Sequence, residues 1–162
     1  MKSTPLPDRR RVLATAAGLG AWAWLAPATV SAQTAPTPQA DELAAAIQTY
    51  TGGAPVRVGK VKLSVAELVD NGNVVPLGVS VDSPMTAGDH VKTIAVFNQK
   101  NPQRDIARFT LGPRAGKAQV TTRVRLATSQ KLVAVAQMSD GSFWSHSVDV
   151  IVTLAACIEG ET

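Results

Sequence analysis

The chain has 162 residues, of which 45% are hydrophobic, 17% charged and 4% aromatic. That length suits one domain with its own core, and a single cysteine, Cys157, excludes an intramolecular disulfide. The formal charge of +4 points towards anionic partners only until its place in the chain is considered.

The N-terminus carries much of that charge. Asp8-Arg9-Arg10-Arg11-Val12-Leu13 sets paired arginines ahead of the apolar run "VLATAAGLGAWAWLAPA", and Val30-Ser31-Ala32 offers small residues where a signal peptidase reads. A basic region, a moderately apolar stretch and a small-residue site make an export signal over residues 1–32. Arg9 and Arg10 with Leu13 fit the twin-arginine type, which is an address and not an anchor. A membrane helix is disfavoured, because the run is rich in Ala and Gly and nearly too short to span. The expectation is a protein of a bacterial periplasm, with no membrane association after export. Without Lys2, Arg9, Arg10, Arg11 and Asp8, 12 basic and 11 acidic residues remain. A net charge of +1 gives no reason to expect nucleic acid or an anionic lipid surface as partner.

Residues 33–53 read as a linker and a helix. "QTAPTPQ" has nothing to bury. In "ADELAAAIQTYTGG", Leu43, Ile47 and Tyr50 recur at helical spacing and Gly52-Gly53 stops the run, which predicts a helix from about Gln39 to Tyr50. A second, very short helix is expected at Ser64-Val65-Ala66-Glu67, where Ser64 and Glu67 stand at capping-box spacing.

The rest of 54–154 reads as strand and turn. Val61 and Leu63 alternate with Lys60 and Lys62; a turn at Asp70-Asn71-Gly72-Asn73 leads into "VVPLGVSVD". "VKTIAVFN", "DIARFTL", "AQVTTRVRLA", "KLVAVAQM" and "FWSHSVDVIVTL" follow, separated by turn signals such as Ser139-Asp140-Gly141-Ser142. Val148, Val150, Val152 and Leu154 are expected to face inward on the last strand. Seven short strands of this kind predict an all-β antiparallel sandwich with a short N-terminal helix. Residues 155–162 form a tail.

Few residues carry chemistry. His90 and His146 are the only histidines, and neither stands at metal-ligand spacing with Cys157 or a carboxylate cluster. A copper site from Met85, His90 and Met138 is conceivable, but strand residues that simply pack explain them better. Ser145 and His146 are adjacent on a strand and point to opposite faces, so they make no nucleophile pair. Trp144 reads as a core or sandwich-edge aromatic. No metal and no catalytic residue is expected.

Cys157 remains. Free cysteine usually packs as a small hydrophobe, yet this one lies in a polar chain end of the kind normally exposed. Ala155 and Ala156 before it are small enough to enter a narrow cavity, while Glu159 and Glu161 disfavour the thiolate. An accessible thiol stands slightly ahead of a packed one.

The segments "DNGNVVPLGVSVDSPMT", "DHVKTIAVFNQKNP" and "RVRLATSQKLVAVAQMSDGSFW", in this order and with a cysteine behind the last strand, resemble the SoxY family. This family supplies the sulfur-carrying subunit of the periplasmic thiosulfate-oxidising (Sox) system. The resemblance implies an immunoglobulin-like sandwich, a heterodimer with a SoxZ-like subunit, and covalent attachment of sulfur intermediates at Cys157. It further implies separate c-type cytochrome, hydrolase and dehydrogenase components that attach, hydrolyse or oxidise the adduct. The chain itself would be a carrier, with no cofactor beyond the sulfur on Cys157. The family's typical ending is Gly-Gly-Cys-Gly-Gly, whereas here Ala155-Ala156-Cys157-Ile158-Glu159-Gly160 stands in its place. Alanine restricts the backbone relative to glycine, and Ile158 is β-branched and stiff. The alternative to a carrier is a non-catalytic periplasmic protein-binding sandwich with Cys157 as a structural residue at its interface.

Overall fold

The computed structural model describes residues 38–155. The chain enters through α1 (Pro38–Thr51), followed by β1 (Val56–Val58), β2 (Val61–Val65), β3 (Leu68–Val69), β4 (Val75–Val81) and β5 (Val91–Asn98). Next come β6 (Asp105–Thr110), a single 3-10 turn (Pro113–Ala115), β7 (Gln119–Val124), β8 (Gln130–Met138) and β9 (Phe143–Val152).

Local chemistry fixes the ends of α1. Pro38 opens it, where a missing N–H is no loss. Gly52 and Gly53 follow it with φ of +63° and +81°. The Gly53 N–H donates to the Gln48 carbonyl at 3.0 Å, so the two glycines close the helix as a Schellman motif.

The strands form two sheets. The larger runs β1-β9-β8-β5-β6, with β3 also beside β9; the smaller runs β2-β4-β7. Val61, Leu63, Val75, Leu77 and Val79 from the small sheet meet Ile94, Val96, Leu132, Ala134 and Val150 from the large one. On the opposite face of the large sheet, α1 lays Leu43, Ala46, Ile47 and Tyr50 over Ala95, Phe97, Val133, Val135 and Phe143. Covering a side chain of this size fully contributes about 1.5–3 kcal/mol. β5 and β8 are therefore apolar on both faces, which is why "LVAVA" does not alternate. The small sheet keeps one wet face, and Lys62, Ser64, Pro76, Thr121 and Arg123 stand exposed there.

The all-β sandwich with one helix on its N-terminal side agrees with the sequence reading, and all seven expected strands are present. Three details differ. Ser64-Val65-Ala66-Glu67 is no helix: Ser64 and Val65 finish β2 opposite Gly78 and Leu77. There the period of two in Val61, Leu63 and Val65 outweighs a capping box with no apolar helix behind it. Two short strands, β1 and β3, are additional, and both run parallel to β9. Leu154 is exposed and not inward, because β9 ends at Val152 and its alternation ends with it.

Candidate functional site

The residue singled out by sequence, Cys157, lies outside the described residues, as do Ala156, Ile158, Glu159, Gly160 and the signal arginines Arg9 and Arg10. Ala155 is exposed and closes the described chain. What is visible is the base from which the tail departs.

That base is firmly held. β9 lies inside the large sheet, with Gln130 of β8 opposite Val150 on one side. On its other side Leu68 and Val69 of β3 pair with Ile151 and Val152. The Ile151 N–H donates to the Glu67 carbonyl at 2.7 Å, and the Thr153 N–H to the Val69 carbonyl at 3.0 Å. The Ser129 hydroxyl accepts from the Val152 N–H at 2.9 Å. The last pin is the Gly72 N–H, which donates to the Leu154 carbonyl at 2.8 Å. The turn at residues 70–73 earns this role through an Asx turn, in which the Asn73 N–H donates to Asn71 Oδ1 at 2.9 Å. Cys157 comes three residues after Leu154. Chain geometry alone therefore keeps its Cα within about 11 Å of that of Leu154.

A buried amide network stiffens the same end. Asn98, fully buried at the end of β5, donates from Nδ2 to the Gln103 carbonyl at 2.6 Å and the Arg104 carbonyl at 3.2 Å. Its Oδ1 accepts from the Asn101 N–H at 2.8 Å. Asn101 Oδ1 in turn accepts from the Ala127 N–H at 3.0 Å and from Gln130 Nε2 at 2.7 Å. "NQKNPQR" reads only as a strand end; Asn98 and Asn101 within it, together with Gln130 of β8, are what fold the loop. Their types and spacing were a signal that went unread.

The other candidates fall into structural places. Met85 and Met138 are buried in the core, and His90 Nδ1 lies 3.2 Å from the Thr86 carbonyl. His146 Nδ1 accepts the Leu63 N–H at 3.3 Å, tying β2 to β9 across the two sheets. Ser145 and His146 point to opposite faces, as expected for neighbours on a strand. Trp144 is half-buried at the sandwich edge, under Arg57 at 5.6 Å and Lys60 at 5.2 Å from its ring centroid. Among the described residues, no group of three or more His, Cys, Asp or Glu side chains is gathered.

A cleft of about 490 Å³ opens between α1 and the β5–β6 connection, with Tyr50, Phe97, Arg104 and Arg108 in its lining. Both arginines are engaged: Arg104 with Glu42, and Arg108 with Asp105 at 2.7 Å. Burial raises the Tyr50 hydroxyl above its ordinary value of 10.0, against the opposing effects of the Thr93 hydrogen bond and the Arg108 charge.

Comparison with known proteins fits this geometry. The family model described as sulfur oxidation protein SoxY matches residues 47–157, ending on Cys157. Among solved structures, the sulfur carrier protein SoxY from Chlorobium limicola f. thiosulfatophilum is similar, with 29% identity and a TM-score of 0.60 over 71% of this chain and 99% of that one. A superoxide reductase (neelaredoxin) from Ignicoccus hospitalis has 20% identity and a TM-score of 0.52, over 58% of this chain and 80% of that one. A putative superoxide reductase from Thermotoga maritima has 24% identity and a TM-score of 0.50, over 59% and 86%. The two reductases share the sandwich fold, and at these identities nothing more is carried over. No curated protein matches significantly.

Proposed function

We infer the function from one premise: this chain belongs to the SoxY family of sulfur oxidation proteins. It acts as a sulfur carrier, as the solved relative is described, and Cys157 is the covalent attachment point. The carrying observation is that the family match runs through the whole sandwich and ends on that cysteine. The pinned backbone up to Leu154 supports the same reading, because it gives a short arm a rigid base.

The chemistry needs little from the carrier. The Cys157 thiol loses its proton and forms an S–S bond to the terminal sulfur of thiosulfate. The two electrons released pass to a c-type cytochrome, leaving Cys157–S–S–SO3⁻. A hydrolase adds water across the S–SO3 bond and releases sulfate with two protons, leaving a persulfide anion on Cys157. A dehydrogenase component then oxidises the remaining sulfane sulfur. The chain works without a catalytic residue of its own, in the periplasm after twin-arginine export, paired with a SoxZ-like subunit.

The test is the intact mass of the native protein before and after incubation with thiosulfate and the cognate c-type cytochrome enzyme. One S2O3 unit should replace one hydrogen and be removed by reductant. Cys157→Ser should abolish the gain and keep the unfolding midpoint. A serine variant that unfolds, or an adduct on any other residue, would refute the carrier reading.

A further inference from the structure

Charge is unevenly spread along the chain. Residues 106–139 carry six basic side chains (Arg108, Arg114, Lys117, Arg123, Arg125 and Lys131) and no acidic one. Three of the six, Lys117, Arg123 and Arg125, bracket β7, the outer strand of the small sheet. The ion pairs among the described residues take up Arg104, Arg108 and Lys131, and neither Arg123 nor Arg125.

β7 is also the longest unbroken edge of the sandwich. Its six residues pair with β4 in one register, whereas β2 and β1 have five and three residues. The β5–β6 ladder slips between Val96 and Phe97. The Val81 N–H donates to the Ala118 carbonyl at 2.8 Å, which fixes the phase of the β4–β7 ladder. Val120, Thr122 and Val124 turn their backbone groups towards β4, and Gln119, Thr121 and Arg123 turn theirs outward. A groove of about 440 Å³ lies beside this edge, with Pro102, Ile106 and Val124 in its lining together with Arg123 and Arg125. Among the described residues no carboxylate lines it. Ile106 and Val120 are only half-buried, so apolar surface is left uncovered on this side of the core.

These charges deter a second copy of the same edge. In the antiparallel register that sets Thr121 against Thr121, Lys117 of each copy meets Arg125 of the other. They favour an acidic strand instead. We propose that the β7 edge takes up an extended segment of another protein, one that alternates acidic and apolar residues and adds a fourth strand to the small sheet. Its backbone pairs with Gln119, Thr121 and Arg123. Its carboxylates lie beside Arg123 and Arg125, and its apolar side chains, pointing the other way, cover Ile106 and Val120. The inference rests on edge and charge and not on the carrier reading, so the mass of the adduct has no bearing on it.

The experiment follows amide hydrogen exchange by NMR in the isotope-labelled mature protein. The probe is a capped peptide of alternating glutamate and valine, about nine residues long, and its control carries lysine for glutamate. With the glutamate peptide the Thr121 and Arg123 amides should exchange about tenfold more slowly, and with the lysine peptide at their free rate. Thr121→Pro removes one outward N–H and no bond to β4, and should weaken the glutamate peptide about tenfold. Arg123→Glu/Arg125→Glu should weaken it by about as much. Both arginines are exposed, so this variant keeps the fold and decides the matter even where the proline variant unfolds. Equal binding of the two peptides, or no protection of the β7 amides by the glutamate peptide, would overturn the proposal. So would an arginine variant that self-associates and binds the peptide unchanged, since the charges would then serve only to keep copies apart. Phosphatidylglycerol vesicles that bind through Arg123 and Arg125, with no response to the peptide, would overturn it in favour of a lipid surface.

Discussion

Asn98→Ala tests whether the amide network holds the end of the sandwich from which the tail departs. The side chain is fully buried and makes three hydrogen bonds, two as donor and one as acceptor. Alanine removes all three but strands only two backbone groups. The Arg104 carbonyl keeps the Asn98 N–H, which donates to it at 2.9 Å, while the Gln103 carbonyl and the Asn101 N–H lose their partners. A stranded buried group costs about 1–3 kcal/mol, and this loop lies partly open to water, which favours the lower half of that range. The expected loss is about 3 kcal/mol, which lowers Tm by roughly 10 °C in a domain of this size. Urea unfolding followed by tryptophan fluorescence measures it directly. Asn98→Asp should lose as much or more, because it keeps an acceptor, removes both donors and brings in a buried charge. A loss below about 0.5 kcal/mol for Asn98→Ala would mean that the loop stands without the network, and the reasoning would be wrong.

Tyr50 is the only tyrosine, so its phenolate absorbance can be titrated without ambiguity, and its midpoint should lie above 10.0. The unfolded chain releases this proton first, so stability should fall as pH rises from about 10, and Tyr50→Phe should flatten that fall; a midpoint at or below 10.0 would refute the burial argument. Replacing Arg9 and Arg10 together with lysine should leave precursor in the cytoplasm, and normal processing would rule out the twin-arginine route. The open edges of β6 and β7 and the pairing proposed above predict that the mature chain alone self-associates or is marginally stable. Co-expression with a SoxZ-like protein should give a stable one-to-one complex, and a tight monomer indifferent to that protein would count against it.

The long elements were legible because their patterns are local. Val61, Leu63 and Val65, or Leu77, Val79 and Val81, alternate whatever lies around them. β1 and β3 were not legible: three and two residues carry no period, and they are strands only because β9 lies beside them. The capping-box spacing at Ser64 and Glu67 misled because it is a local signal in a place where tertiary pairing decides. Leu154 misled for the opposite reason, since the pattern of β9 continues in sequence past the point where the fold stops burying it. Cys157 stands out in the sequence by its uniqueness, and its place lies outside the described residues. The exposed pair Leu68 and Ile151 was not legible, because each looks like an ordinary strand residue until β3 and β9 are seen together.

The placement of β9 has a mechanical side. Any pull on the chain beyond Leu154 acts on this strand along its axis. β9 has β8 on one flank and β1 and β3 on the other, so it is not an outer strand that can be peeled away. Inter-strand hydrogen bonds run across the strand direction, and a lengthwise tug therefore loads the whole ladder in shear instead of opening it rung by rung. The sandwich is built to resist a lengthwise pull at this end and stay folded.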